Sequence, residues 1–499
     1  MNLFARLAAR FPADRGRAFL ETADGGTVSF AELLERTGRI AALLAASGVT
    51  PGDRVAVQVE KSVANICLYL AVLQSGAVYV PLNTGYTPAE LSHFLADAEP
   101  RVMVCDPAAQ AALAPMLGRA WLFTLDAGGA GSLTAQAEAL PSERGVAARA
   151  GGDLAAILYT SGTTGRSKGA MLTHDNLWSN VVTLHVAWGF RPDDVLIHAL
   201  PLFHTHGLFV ALNLMLLNGG RMMLLPKFDA EQVIGLLPRA TVLMGVPTFY
   251  TRLLASPGLT REAVAGMRLF VSGSAPLLAS THQEFEARTG QRILERYGMT
   301  ETGMNTSNPL EGERRAGTVG PALPGVEVRV GATDGRELAA GETGVLEVRG
   351  PNVFVGYWRL PQKTAEEMRS DGFFITGDMA RIEADGYVTI VGRAKDLIIT
   401  GGLNVYPKEI EQAIDALPGV TESAVVGVPH PDFGEAVVAV VTGRPGGDVV
   451  AALRDRLAGF KLPKHVEVVD ELPRNAMGKV QKNLLRDRFA ALFAEGSEP

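Results

Sequence analysis

The chain predicts an α/β protein in two unequal parts: a large N-terminal domain of layered sheets and helices with a β-rich subdomain, then a small α+β C-terminal domain. Three observations carry that expectation. A chain of 499 residues is too long for one hydrophobic core, so two or more domains follow. Up to residue 320, short apolar runs alternate with helix-period stretches, the rhythm of layered parallel strands. Beyond residue 326 the text turns β-rich with glycine turns, and beyond 396 it becomes a compact α+β pattern.

The start, residues 1–11, is amphipathic and carries arginines; it could mimic a transit peptide but is expected to form a first surface helix. Helical periods follow over 30–46 and 62–74, with strands at 54–59 and 102–104. Apolar runs at 154–158, 195–199, 221–225, 241–246 and 268–272 predict further strands with helices between them. Residues 326–391 read as the β-rich subdomain. The last part predicts a helix at 407–417, strands at 421–428 and 435–442, and a helix at 449–458. The division is placed at Gly392-Arg-Ala-Lys-Asp396: 1–392 the N-terminal domain, 393–396 the junction, 397–499 the C-terminal domain.

Composition excludes several classes. Apolar residues make up 47% and charged residues 20%, as in ordinary globular proteins. A net charge of −7 without basic runs argues against nucleic-acid binding, so anionic ligands need locally placed cations. The two cysteines, Cys67 and Cys105, sit in apolar text, which predicts buried thiols and a reducing cytoplasm. The apolar run 208–217 is interrupted by Asn213 and falls short of the ~20 residues a bilayer span needs, so no membrane association is expected. The terminal Ser-Glu-Pro is no peroxisomal address.

Chemistry concentrates first in Tyr159-Thr-Ser-Gly-Thr-Thr-Gly-Arg-Ser-Lys-Gly169. Gly162 and Gly165 let the backbone turn and approach a ligand, while Thr160, Ser161, Thr163, Thr164 and Lys168 supply donors and charge to phosphate oxygens. It is not the GxxxxGK[ST] cradle, because Ser167 precedes and Gly169 follows the lysine. The order resembles the phosphate loop of the adenylate-forming superfamily, whose members activate a carboxylate as its AMP ester. Further matching motifs fall in order along essentially the whole chain.

The resemblance implies the following roles. In Tyr297-Gly298-Met-Thr300-Glu301, the tyrosine ring lies on adenine, Thr300 reaches the α-phosphate, and Glu301, with Thr160, holds Mg²⁺. Read alone, that pentapeptide suits a turn and helix cap. Gly273, Ser274 and Ala275 match the loop packed on adenine, and Asp378 and Arg393 match the two ribose contacts. Lys479, in Pro473-Arg-Asn-Ala-Met-Gly-Lys479, would bridge substrate carboxylate and α-phosphate. It is also a candidate target of a lysine acetyltransferase, which would remove its charge. Lys395 occupies the hinge position, and Gly401 and Gly402 match the loop lining a pantetheine tunnel after domain rotation. ATP, Mg²⁺ and coenzyme A are the expected small-molecule requirements.

The acid is read from Arg252 and Arg296, which fall where the family lines its acyl pocket. A buried arginine needs a partner anion, so two of them suggest a short dicarboxylate. The text around 270–275, 295–307 and 313–319 resembles malonyl-CoA synthetases, in which matching arginines grip the distal carboxylate of malonate. The alternative has Arg252 solvated and Arg296 paired with Glu295 or Glu301. His204 resembles a pocket-gating histidine, and His206 is a second candidate substrate contact. His174, His185 and His198 lack ligand spacing, and no structural metal site is expected.

The expectation is therefore ATP-dependent ligation of malonate, with methylmalonate a second acid, to coenzyme A. Another short-acid CoA synthetase, or an adenylation enzyme feeding a carrier protein, is the alternative.

Overall fold

The computed structural model describes residues 1–160, 167–332, 334–400, 403–431, 433–475 and 478–493. Its sheets and helices make a mixed α/β fold, with two large sheets, a smaller antiparallel sheet and a separate C-terminal sheet.

One six-stranded sheet runs in the order Trp121–Thr124, Val102–Cys105, Arg54–Gln58, Val78–Pro81, Leu154–Thr160, Lys168–Thr173. Its strands are parallel until the last pair, an antiparallel hairpin in which Thr160 lies opposite Lys168. The glycine-rich stretch thus connects two hairpin strands, rather than leading into a helix as in the GxxxxGK[ST] cradle.

An eight-stranded sheet has as neighbours Gly303–Ser307, Ile293–Met299, Leu269–Ser272, Val242–Gly245 and Val195–His198, then Arg221–Leu224, Ala18–Thr22 and Thr27–Ser29. Its interior pairs are parallel, so the segments after Ser272, Gly245 and His198 leave from one edge, together with the hairpin turn after Met299. Ligands of open α/β sheets bind at that edge. The helix Phe30–Ala46 starts at a Ser29/Glu32 capping box and buries Leu33, Ile40 and Leu44 against this body.

Residues Glu327–Gly331, Thr343–Arg349, Phe374–Ile382 and Val388–Arg393 form an antiparallel meander. In the C-terminal part, Val420–His430 and Gly434–Gly443 pair as a long hairpin, with His465–Val469 parallel to the second strand. Strict alternation sends Val425, Val437 and Val441 to one face with Ile410 and Ile414. It sends Ala424, Val426, Val438 and Val440 to the other, under Leu485 and Phe489. This sheet is covered on both sides by its own helices.

Elements expected from the sequence recur with shifted ends. The helix expected over 449–458 is Val449–Leu453, and the apolar run 208–217 is divided between a π-helix, His206–Leu212, and the helix Asn213–Asn218. The start forms the helix Leu3–Ala8, which buries Leu3, Phe4 and Leu7. Among the described residues no helix is long and apolar enough to cross a membrane. Cys67 and Cys105 are free and buried.

Candidate active site

The cleft begins at the hairpin pairs described above. The turn between Ile293–Met299 and Gly303–Ser307 presents Thr300 and Glu301, with Thr300 half-buried and Glu301 buried. Tyr297 therefore lies in a strand, not at a helix cap. The backbone at Gly298 is crowded: a Cβ there would meet the Gly303 carbonyl oxygen at 2.1 Å. Thr160 Oγ1 donates to Glu301 Oε1 at 3.2 Å, bringing two hard oxygens from different sheets together. Burial raises the Glu301 carboxyl above its usual range, partly opposed by hydrogen bonds and the Lys168 charge.

Two residues without a motif signal complete this end. Lys168 Nζ lies 3.0 Å from Glu367 Oε1 and 4.1 Å from the centre of the Tyr357 ring. Tyr357 OH lies 2.6 Å from Glu367 Oε2 and 3.1 Å from Glu301 Oε1. Residues 161–166, including Ser161, Gly162, Thr163, Thr164 and Gly165, lie outside the described residues.

Deeper in, Asp378 and Arg393 are cross-strand partners, and Arg393 Nε sits 2.7 Å from Asp378 Oδ1. Tyr297 OH donates to Asp378 Oδ2 at 2.5 Å, and the Thr376 hydroxyl accepts from the Asp378 N–H at 3.0 Å. Burial raises the Asp378 carboxyl, with Arg393, Tyr297 and Lys479 acting against it.

Lys479 enters from the C-terminal part on a tight turn. Its N–H donates to Asn475 Oδ1 at 3.0 Å, and its carbonyl accepts from the Asn475 N–H at 2.9 Å. Its side chain keeps exposed surface while protein groups gather around the ammonium. Burial lowers the affinity of its ammonium for the proton, as does the Arg393 charge, while Asp378 and Glu301 pull the other way. Its charge is also felt at His204.

The far end is built differently. Arg296 is buried at 2% exposure, yet its Nε and Nη2 find no hydrogen-bond partner among the described residues. Strand alternation separates it from Glu295, whose carboxylate accepts from the Leu277 N–H at 3.1 Å, and no ion pair joins it to Glu301. Burial pulls Arg296 down to about 9, opposed only by the Tyr250 hydroxyl. Gly273 packs on the guanidinium: a Cβ there would sit 2.4 Å from Arg296 Cζ. Ser274 holds φ at +70° with its hydroxyl 3.4 Å from His206 Nδ1, and Ala275 lies half-buried beside it.

His204 Nδ1, His206 Nε2, Thr205 Oγ1 and Ser272 Oγ are further buried polar atoms without partners among the described residues. Burial pushes His204 down to about 3, reinforced by the Lys479 and Arg296 charges. His206 is likewise held well below its usual range, by burial first and Arg296 next. The turn bearing both histidines is tied from the other large sheet: Lys61 Nζ donates to the carbonyls of His198 at 3.1 Å and Leu200 at 2.8 Å. Sequence reading missed Lys61, because a lysine between Glu60 and Ser62 carries no sign of burial.

Not every expected residue joins this cluster. Arg252 stands on the helix Pro247–Ala255, exposed and about 200° round from the buried Tyr250. Of the pair expected in the pocket, only Arg296 is buried. Lys395 lies in the 3₁₀ turn Ala394–Asp396, while Gly401 and Gly402 lie outside the described residues.

A glycine-rich hairpin, a paired Asp–Arg–Tyr group on the antiparallel meander and an incoming lysine thus come together beside the C-terminal edge of a parallel sheet, and the comparisons assign the class: an AMP-binding enzyme. The family model described as "AMP-binding enzyme" matches residues 4–358, and the model of its C-terminal domain matches 409–479. The chain belongs to the AMP-binding enzyme family. Among solved structures, it is similar to ATP-bound MatB from Rhodopseudomonas palustris, at 58% identity, TM-score 0.97 and 99% coverage of each chain. Among curated relatives, it is 38% identical to a feruloyl-CoA synthase of Amycolatopsis, covering 93% of this chain and 95% of that one. It is 37% identical to the mitochondrial malonate–CoA ligase of Mus musculus, covering 87% and 81%.

Proposed function

We propose that the protein ligates malonate to coenzyme A using ATP, through malonyl-AMP, with release of AMP and pyrophosphate. The two curated relatives alone do not choose the acid, since the feruloyl enzyme is 38% identical and the malonate enzyme 37%. Arg296 does. A guanidinium buried with two unpartnered nitrogens suits an acid bearing a second anion and disfavours an apolar aromatic one. Methylmalonate is a second acceptable acid, because one methyl shifts binding by only ~1–3 kcal/mol in the absence of a clash.

In this reading Tyr297, Gly298 and the Gly273–Ala275 loop hold adenine, and Asp378 and Arg393 hold the ribose. Thr300, Lys168 and the 160–165 stretch take the phosphates. Thr160 and Glu301 would hold Mg²⁺, and their converging oxygens suit a hard cation. When bound, that ion would neutralise polyphosphate charge. Lys479 lies between the two ends and stabilises the negative charge brought together as carboxylate meets α-phosphate. Arg296, flanked by His206, clamps the distal carboxylate, and His204 stands at the pocket mouth as a neutral imidazole. Arg252 is a second, outer cation for the same acid.

The C-terminal part, residues 397–499, is proposed to swing about 393–396 at Lys395, exchanging Lys479 for Gly401 and Gly402 along the pantetheine path. A Gly402→Leu enzyme should then form acyl-AMP but little thioester. Acetylation of Lys479 by a lysine acetyltransferase would silence adenylation, and a cytoplasmic location suits the two buried free thiols.

The test is pyrophosphate release with CoA across acetate, propionate, malonate, methylmalonate, succinate, sulfoacetate and benzoate. Malonate should lead; a win for benzoate or a monocarboxylate would overturn the reading.

A further inference from the structure

Lys168 and Glu301 carry opposite charges at one end of the cleft, near enough that each influences the other, yet they do not pair. The lysine's ion-pair partner is Glu367, at 3.0 Å. Tyr357 stands between the two carboxylates, its ring 4.1 Å from the ammonium. A phenol has one proton to donate, and the 2.6 Å contact to Glu367 against 3.1 Å to Glu301 assigns it to Glu367.

This arrangement is held from several directions. Residues around Tyr357 run antiparallel to the strand Lys168–Thr173, with an Ala170–Tyr357 bridge and Trp358 N–H donating to the Gly169 carbonyl at 2.7 Å. The Phe354 N–H donates to the Glu301 carbonyl at 2.7 Å, so the same segment fixes the Glu301 backbone. The Tyr357 N–H donates to Thr364 Oγ1 at 2.9 Å, which ties it to the short helix Pro361–Glu366. Glu367 follows that helix, and Lys363 adds a second cation at 3.2 Å. Burial acts to raise the Glu367 carboxyl, but the Tyr357 and Lys168 hydrogen bonds outweigh it and hold the group ionised.

We propose that Glu367 is a positioning residue for the reaction: with Tyr357 as spacer, it keeps the Lys168 ammonium off Glu301, leaving Lys168 to polyphosphate and Glu301 to the divalent cation. The proposal rests on the reading of this cleft as an ATP site. Without Glu367, Lys168 is a mostly buried cation whose charge still acts on the Glu301 carboxylate. Their collapse into an ion pair would remove the phosphate ligand and the cation ligand together. The proposed ribose contacts, Asp378 and Arg393, and the adenine-side Tyr297 are untouched.

The test uses the full chain and calorimetric binding, without turnover. The probes are AMP and a non-hydrolysable α,β-methylene ATP with Mg²⁺. Glu367→Ala and the near-isosteric Glu367→Gln should each bind the Mg²⁺–ATP analogue about tenfold more weakly than wild type, with AMP affinity within about twofold. In a Lys168→Met background, removing Glu367 should cost nothing further, because there is no ammonium left to sort. Unchanged analogue affinity in Glu367→Gln would show that neutral hydrogen bonding suffices and overturn the charge-sorting role. Equal loss of AMP would reveal a merely structural role and also overturn it. Failure of the wild type to bind either nucleotide would instead strike the ATP-site reading itself.

Discussion

The two ends of the cleft treat charge in opposite ways. At the nucleotide end the charged groups among the described residues have protein partners: Arg393 with Asp378, Lys168 with Glu367, and Glu301 with the Thr160 hydroxyl. At the acid end Arg296 is buried beside His204, His206 and Ser272, with unpartnered polar atoms on each. A paired site can stay stable when empty and exchanges partners as substrate arrives. An unpaired buried cation destabilises the fold by itself, an arrangement that makes sense only if an anion completes it. On the proposed function, general binding belongs to the first end and acid selection to the second.

Lys479 belongs to neither end, and its removal should have the largest effect. Lys479→Met should lower acyl-AMP formation by roughly 10²–10³-fold, the range seen for losing one transition-state contact. Thioester formation from supplied malonyl-AMP should change by only a few fold, measured by CoA consumption. Equal loss in both half-reactions would place Lys479 in the general architecture instead.

Arg296 tests the contrast directly. Arg296→Met should cut kcat/KM for malonate by about 100-fold, in the range for breaking a buried charge pair, while leaving propionate little affected. Because the free protein loses an unpaired buried cation, its Tm should hold or rise. A variant that loses both activity and stability would mean that Arg296 has a structural partner after all. Asp378→Asn probes the paired end: KM for Mg·ATP should rise roughly 10-fold as a charge-assisted contact is lost, and Tm should fall because Arg393 is left without its carboxylate. Malonate KM should stay within about twofold of wild type.

Much of this was legible in the residues, and the remainder was hidden for physical reasons. The layered α/β body and the compact C-terminal part follow from hydrophobic periodicity, and the motif text located Thr160, Lys168, Tyr297, Glu301, Asp378, Arg393 and Lys479. Pairing was not legible. Nothing in Thr364-Ala-Glu-Glu marks Glu367 as the partner of a lysine 199 positions earlier, because that contact is made by folding alone. Arg252 and Arg296 looked equivalent in sequence, but helix phase leaves the first exposed, while the second lies in an interior strand whose residues 293–296 are buried on both faces. Gly273 follows the same logic: its smallness admits the Arg296 guanidinium, a packing need that no local pattern states.

The smallest effect concerns pH and separates the ends once more, because His198, His204 and His206 influence one another at the acid end. His198 is 1% exposed and donates from Nε2 to the Gly207 carbonyl at 2.9 Å. Burial first, then the Lys61 charge, pushes it down to about 3, with the Gly207 hydrogen bond acting the other way. Glu60 is the nearby anion on the Lys61 side. The unfolded chain takes up this proton near pH 6.5 and the folded chain refuses it until about 3, so unfolding binds a proton between those values and stability falls as pH drops through them. At about pH 5 the loss attributable to His198, relative to pH 7, is roughly 2 kcal/mol. His198→Gln cannot titrate, so the difference in urea-unfolding free energy between about pH 7 and pH 5 should shrink by that amount. An unchanged difference would mean that His198 gains its proton in the folded state, and that the acid end is wetter than its burial implies.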